Sequence, residues 1–221
     1  MKKSVYSIIL SDEIVEEIDR LAYSLKTSRS NLINEILAKH ISYVTPEKRM
    51  REILSMVQKF LSSEGNCFFP EMQSPSFLDI RAALKYKYKP TIRYCVELYT
   101  KSGGSFGRLK VSVRTQSESL IREMADFFKI WNAIENKLLY GKYGGRVPSA
   151  YENNCYMRDF YVSGDLRNFS EDILGRAIAE YVCALDRGVK IYLGNADNGT
   201  QAFELVAQSY EDYLQNAEMI I

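Results

Sequence analysis

Histidine is almost absent from this chain, since His40 is its only copy in 221 residues. Because His40 lies at the end of the second predicted helix, a histidine-based catalytic triad or a clustered metal site has no histidine available in the C-terminal domain. Paired carboxylates such as Asp159 and Asp165 lack a spacing that would bring them together. We expect no enzyme activity, no catalytic residues, no metal ligands and no cofactor.

Long hydrophobic runs are also missing. The apolar runs have the length of single strands, far short of the roughly 20 residues that span a membrane. The basic start Met-Lys-Lys is not followed by the apolar run and cleavage site of a signal peptide. The overall composition, 46% hydrophobic and 26% charged, is ordinary for a globular protein. We expect a cytoplasmic protein that does not associate with membranes.

The formal net charge is only +1, but the charges are unevenly distributed. Basic and acidic side chains number six and six in residues 1–45, thirteen and six in residues 46–115, and ten and sixteen in residues 116–221. A basic middle third suits attraction of nucleic acid, contact with an acidic surface of a neighbouring subunit, or a solvated sheet face. The charge distribution alone does not decide among these three interpretations.

The first 45 residues carry the pattern of a strand followed by two helices. Residues 4–11 alternate with period two, which predicts a short strand. Residues 11–26 space their apolar side chains by three and four, which predicts an amphipathic helix capped by Ser11. Residues 28–41 repeat this pattern with Ser28 as the cap. An isolated strand leaves backbone groups unpaired, so this one needs a partner.

This order of elements resembles the ribbon-helix-helix family of DNA-binding proteins, of the Arc, MetJ and CopG type, across residues 3–43. The resemblance rests on LSDEIVEEIDRLA (residues 10–22) at the strand end and first helix, and on TSRSNLINEIL (residues 27–37) at the second helix. It implies that two chains pair their strands as an antiparallel ribbon, which enters the major groove above an interwoven core of four helices.

The resemblance also implies roles for individual residues. The outward ribbon side chains that face the bases are Val5, Ser7 and Ile9. The phosphates are contacted by Lys2, Lys3, Ser28, Arg29 and Ser30. The dimer core is formed by Tyr6, Ile8, Leu10, Ile14, Ile18, Leu21, Leu32, Ile33, Ile36 and Leu37. Two of the three base-facing side chains are apolar, so the alternative that this module only dimerises stays open.

The remaining chain resembles no family. Residues 46–64 predict a connector helix and residues 65–221 an α+β effector or assembly domain. Between residues 77 and 115, period-two alternation predicts an antiparallel meander whose outer face is basic, with Arg81, Lys85, Lys87, Arg93, Lys110 and Arg114. Further predicted elements are a long covering helix over 115–139, a strand near 156–162, a helix over 170–188, a strand over 189–193 and a helix from about Thr200.

The predicted fold class is an N-terminal ribbon-helix-helix module (β-α-α, intertwined dimer) over residues 1–45, followed by an α+β domain with an antiparallel meander and covering helices. We expect a homodimeric DNA-binding protein, a transcriptional regulator such as a repressor. Its expected partners are double-stranded DNA, a second copy of itself, and a small-molecule or protein effector at the C-terminal domain. The alternative is an antitoxin-like or plasmid-accessory interaction module with little or no sequence-specific DNA binding.

Overall fold

The computed structural model of the chain describes residues 7–41, 43–63, 65, 67–69, 74, 76–86, 89–100, 104–143 and 147–221. It divides into two compact units, Met1–Arg49 and Met50–Ile221. Within the described ranges, no helix combines the length and the apolar character that crossing a bilayer requires.

The first elements in the described part of the chain are three helices, α1 (Asp12–Ser24), α2 (Arg29–His40) and α3 (Pro46–Ser63), and every described strand follows them. The predicted β-α-α ribbon-helix-helix fold is therefore wrong. Residues 7–11 form no strand and pair with none of the described strands. Alternating side chains favour an extended backbone, but a strand also requires a neighbour that completes its hydrogen bonds, and no described element supplies one.

The second unit contains a six-stranded antiparallel sheet with the order β1-β2-β3-β4-β6-β5. The strands are β1 (Cys67–Phe68), β2 (Phe77–Ala83), β3 (Thr91–Leu98), β4 (Gly107–Val113), β5 (Ser149–Glu152) and β6 (Cys155–Phe160). The period-two alternation correctly predicted β2, β3 and β4. One row across the sheet joins Ile80, Tyr94, Val111 and Tyr156, all fully buried. The inner face of the sheet is thus an apolar wall.

One helix lies between β4 and β5 in the chain, and two more follow β6. They are α4 (Glu118–Tyr143), α5 (Glu171–Gly194) and α6 (Gly199–Asn216), with a short 3-10 turn at Leu166–Asn168. The strand predicted over residues 189–193 is wrong, because this segment is the last part of α5. A buried helix segment is apolar on several sides and therefore looks like a buried strand in the sequence.

Contacts between aromatic and polar side chains attach α4 and α5 to the inner face of the sheet. The Phe128 ring on α4 stacks on Tyr156, with centroids 4.6 Å apart. The Tyr94 hydroxyl on β3 donates a 2.8 Å hydrogen bond to Asp186 on α5. The helices therefore cover one side of the sheet, which leaves the other side as the place for polar residues.

Candidate dimer and nucleic-acid interface

Ser7 and Ile9, two of the three residues predicted to read DNA bases, do not lie in a strand. Four of the predicted site residues lie outside the described part of the chain: Lys2, Lys3, Val5 and Tyr6. Ser7, Ile8 and Ile9 are exposed, with Ile9 fully so, whereas Leu10 is half-buried. Because residues 7–11 form no strand, they provide no β-ribbon that could read bases, and the apolar side chains of Ile8 and Ile9 lie in solvent just before α1.

The start of α1 is stabilised by its acidic first turn. Ser11 has the extended backbone of an N-cap residue, but its side chain does not cap the helix amides. Hydrogen bonds from the Glu13 amide and from Ser11 lower the pKa of Glu13. Negative charge at this end of a helix is favourable because the N-terminal amides are unpaired.

The start of α2 carries the predicted phosphate-binding residues Ser28, Arg29 and Ser30, all of which are exposed. The Ser28 hydroxyl accepts a 3.3 Å hydrogen bond from the Asn31 amide and so caps the helix, as the sequence pattern predicted. Arg29 does not stand free, because its Nε donates a 2.5 Å hydrogen bond to Oδ1 of Asp19, and its Nη2 contacts Oδ2.

This forked contact joins α1 to α2. Hydrogen bonding from Arg29 lowers the pKa of Asp19, because it stabilises the ionised carboxylate. A phosphate that binds Arg29 must compete with Asp19 for the same planar fork of donors. The free amides and hydroxyls at the start of α2 remain accessible to an anion.

The predicted dimer core lies largely open in the single chain. Leu32 is buried, and Ile18 and Ile33 are half-buried. The large apolar side chains of α1 and α2, and of the residue directly after α1, that are at least 46% exposed are Ile14, Leu21, Tyr23, Leu25, Ile36 and Leu37. Two residues further along the unit, Ile41 and Tyr43, are exposed as well. The helix pair therefore buries few of its own large apolar side chains.

The second unit contains a buried polar cluster that the sequence reasoning missed. Glu135 on α4 and Arg158 on β6 are 0% and 2% exposed and form an ion pair at 3.2 Å. The Tyr156 and Tyr210 hydroxyls donate to Glu135 at 3.0 and 3.2 Å. Arg158 also donates to the Ile221 carbonyl at 2.5 Å. In the sequence, Glu135 lies beside the apolar stripe of α4, and this position is equally typical of an exposed residue on a helix surface.

This buried cluster is a fixed hydrogen-bond network rather than an open site. Burial first, and then the charge of Glu135, raises the pKa of the Tyr156 and Tyr210 hydroxyls, so both stay protonated and act as donors. The ion pair lies away from solvent, where it holds α4, β6 and α6 in one arrangement.

A cavity of about 400 Å³ lies among the side chains of α3, α5 and α6. Its wall includes the Phe60 ring, Arg176, Glu180 and Arg187. Burial raises the pKa of Glu180, and its buried Oε2 has no hydrogen-bond partner. A small polar molecule that donates a hydrogen bond would satisfy this oxygen.

On the outer face of the sheet, three of the predicted cations, Arg81, Arg93 and Lys110, are paired with acids, and so is Arg108, which was not predicted there. Lys110 donates to Glu97 at 2.7 Å, and Arg108 donates to Asp159 at 2.5 Å. Lys87, predicted on the same face, lies outside the described residues. These cross-strand pairs account for part of the basic composition as ordinary sheet contacts.

Neither a metal site among the described residues nor a known relative helps to identify the function of this interface. Among the side chains that the structure describes, no group of three or more histidines, cysteines or acids is placed to hold a metal ion. Comparison of the chain with protein-family models, curated proteins and solved structures finds no match.

Proposed function

We propose that this chain is a DNA-binding protein that works as a homodimer, with its N-terminal helix pair as the region where two copies meet. The observation that carries the proposal is the exposed apolar surface of α1 and α2. Amphipathic helices in a small unit are stable only when their apolar faces are covered. Ile14, Leu21, Leu25, Ile36 and Leu37 are each roughly half exposed, and a second copy would cover them.

The free energy available from burying these side chains is of the same order of magnitude as the cost of association. Complete burial of a leucine or isoleucine contributes about 1.5–3 kcal/mol, so a half-exposed one retains about 1 kcal/mol. The five side chains of each of two copies thus supply about 10 kcal/mol, which offsets an association cost of about 4–15 kcal/mol. Residues 1–45 carry equal numbers of basic and acidic side chains, so two copies approach without net repulsion. Twofold pairing of identical copies is also the commonest soluble assembly.

DNA is the proposed partner because the start of α2 combines exposed donors with the positive end of a helix. Ser28, Arg29 and Ser30 present these groups to solvent. The basic middle third of the chain adds long-range attraction to phosphates. Affinity from such contacts falls as salt rises, because phosphate binding releases counterions. In this proposal the cavity beside Glu180 is the site of a small-molecule effector of a transcriptional regulator.

A second candidate function is a dimerising protein-interaction module without DNA binding. The ion pair between Arg29 and Asp19 favours it, because that pair occupies the main cation of the proposed phosphate contact. The full exposure of Ile9 also favours it, since an apolar side chain suits a protein surface better than a phosphate backbone.

Sedimentation velocity of the full chain tests the association. Leu37→Glu places a charge on the exposed apolar stripe and should convert dimers to monomers at protein concentrations where the unmodified chain is dimeric. Lys39→Gln is the matched control, because it changes the net charge by the same amount at another position of α2. A monomeric unmodified chain, or equal behaviour of the two variants, would contradict the association.

Fluorescence anisotropy with labelled duplexes of several sequences tests the DNA contact across a salt series. Arg29→Ala should weaken binding to every duplex alike, by about tenfold, since a charge-assisted contact to phosphate is lost. Arg20→Ala is the control, because it removes an equivalent cation that pairs with the exposed Glu17. Failure of the unmodified chain to bind any duplex while it remains dimeric would favour the interaction module.

A further inference from the structure

A concavity of about 710 Å³ lies on the outer face of the sheet, beside the connection from β2 to β3. Four cations line it, together with two hydroxyl groups: Arg81, Lys89, Arg93, Arg114, Thr91 and Ser112. The register places Arg81 opposite Arg93, and Arg93 opposite Ser112. The strands themselves therefore bring these side chains together from three separate parts of the sequence.

The charges of this concavity are not balanced. Asp79 accepts a 2.8 Å hydrogen bond from Nε of Arg93 and lies 3.5 Å from Nη2 of Arg81. Lys89 and Arg114 form no ion pair with any residue in the described ranges. Two of the four cations thus share one carboxylate and the other two lack an acidic partner among the described residues, in contrast to the one-to-one pairs elsewhere on this face.

Two features of the concavity are locally unfavourable. Arginines directly opposite each other on neighbouring strands repel, yet Arg81 and Arg93 hold these positions. The backbone of Lys89 has a positive φ of 44°, a conformation in which glycine or asparagine is the usual residue. Local features that oppose stability tend to cluster at functional sites, because the side chain is needed there for another purpose.

The ligand chemistry follows from the groups present. Arginine forks match the oxygens of a phosphate, and lysine adds a mobile point charge. A neighbouring concavity of about 940 Å³ shares Pro90 and Arg114 and is otherwise lined by the polar residues Tyr86, Thr115, Gln116, Ser117 and Ser119. It offers hydrogen bonds to the hydroxyl-bearing part of a phosphorylated molecule.

We propose that this surface of the second unit is a phosphate-binding site, with Arg81, Arg93, Lys89 and Arg114 as its cations. The phosphate belongs either to a free phosphorylated molecule or to the backbone of a nucleic acid. The site does not depend on the function proposed for the helix pair, since all of its residues belong to the unit Met50–Ile221.

Two probes applied to the full chain distinguish the sources of phosphate. Inorganic pyrophosphate, titrated by calorimetry, represents a free ligand, and a fluorescein-labelled DNA duplex, followed by anisotropy, represents the backbone. Lys89→Asn and Arg114→Gln should each weaken binding of the relevant probe by about tenfold, the effect of one lost charge-assisted hydrogen bond. Lys129→Gln is the matched control, because it removes one cation from an exposed pair with Asp126.

Lys89→Asn keeps the test independent of folding. Asparagine tolerates a positive φ better than lysine does, so this variant should unfold at the same or a higher temperature than the unmodified chain. A loss of binding in a variant of undiminished stability therefore reports on the charge itself.

Weaker pyrophosphate binding in the two variants supports the site with a free phosphorylated ligand. Weaker DNA binding with a shallower salt dependence, without pyrophosphate binding, supports the site with a nucleic acid. If neither probe binds the unmodified chain, or if the variants bind as the control does, the site is overturned. Arg29→Ala separates this result from the proposed function, because it alters the helix pair and should leave pyrophosphate binding unchanged.

Discussion

Removal of the Glu135 carboxylate is the most demanding test of the buried cluster. In Glu135→Leu the guanidinium of Arg158, which is 2% exposed, loses its ion partner at 3.2 Å. The Tyr156 and Tyr210 hydroxyls lose the acceptor of their hydrogen bonds. An unpartnered buried charge costs about 3–5 kcal/mol, and each unsatisfied hydroxyl adds about 1 kcal/mol or more. We expect a loss of about 5 kcal/mol in the free energy of unfolding.

Urea unfolding is the suitable assay, because Trp131 reports directly on this region. It is the only tryptophan of the chain, and its Nε1 donates a 3.2 Å hydrogen bond to Tyr181. Total stabilities of domains are about 5–15 kcal/mol, so this loss is about a third of the total or more and should shift the urea midpoint strongly. Far-UV circular dichroism provides an independent second probe of the same transition.

The double variant Glu135→Leu/Arg158→Met separates loss of a partner from loss of packing. Without the guanidinium there is no unpartnered charge, so the double variant should regain most of the stability that the single one loses. Glu97→Gln is the surface control, since its pair with Lys110 is partly solvated and should contribute about 1 kcal/mol or less. A loss below about 1 kcal/mol for Glu135→Leu, or additive losses in the double variant, would refute the reasoning.

Three further substitutions have expected effects on urea unfolding. Lys89→Asn should raise the free energy of unfolding by about 1 kcal/mol, because asparagine relieves the positive φ; a decrease would contradict strain at this residue. Gly175→Ala should destabilise the chain, because its new Cβ would lie 2.5 Å from the Met56 Cβ and the overpacking cost of about 1–3 kcal/mol exceeds the gain in helix propensity; Gly194→Ala, in open space on the same helix, should not. Burial raises the pKa of Glu180, so the folded chain binds this proton more tightly and stability falls as the pH rises from the unfolded pKa to the folded one. Glu180→Gln should remove that fall and be more stable than the unmodified chain at neutral pH. A variant with the same dependence of stability on pH as the unmodified chain would contradict this role of Glu180.

Local periodicity predicted the elements that are amphipathic on their own. Alternation between residues 77 and 115 correctly indicated β2, β3 and β4, since one face of the sheet is buried and the other is not. Three- and four-residue spacing correctly indicated α1 and α2. The segment 189–193 was misread as a strand because α5 is buried on several sides and lacks a single apolar stripe there.

Pairing between distant segments is what the sequence could not reveal. Residues 4–11 alternate like a strand, yet alternation does not supply a hydrogen-bonding neighbour, and the described residues 7–11 form no strand. Glu135 appears as a helix-surface residue until β6 brings Arg158 against it. A basic outer face was predictable from alternation, but whether each cation meets an acid was not.

By itself, the sequence determined most of the helices, the central strands and a basic middle third, because side-chain periodicity and charge are local properties. Only the tertiary structure decided which charges are neutralised. Strand register placed Lys110 beside Glu97 but set Arg81 opposite Arg93, with Asp79 shared between them. Register depends on hydrogen bonds between strands far apart in the chain, so the partner of a charged side chain is fixed only when the sheet has formed.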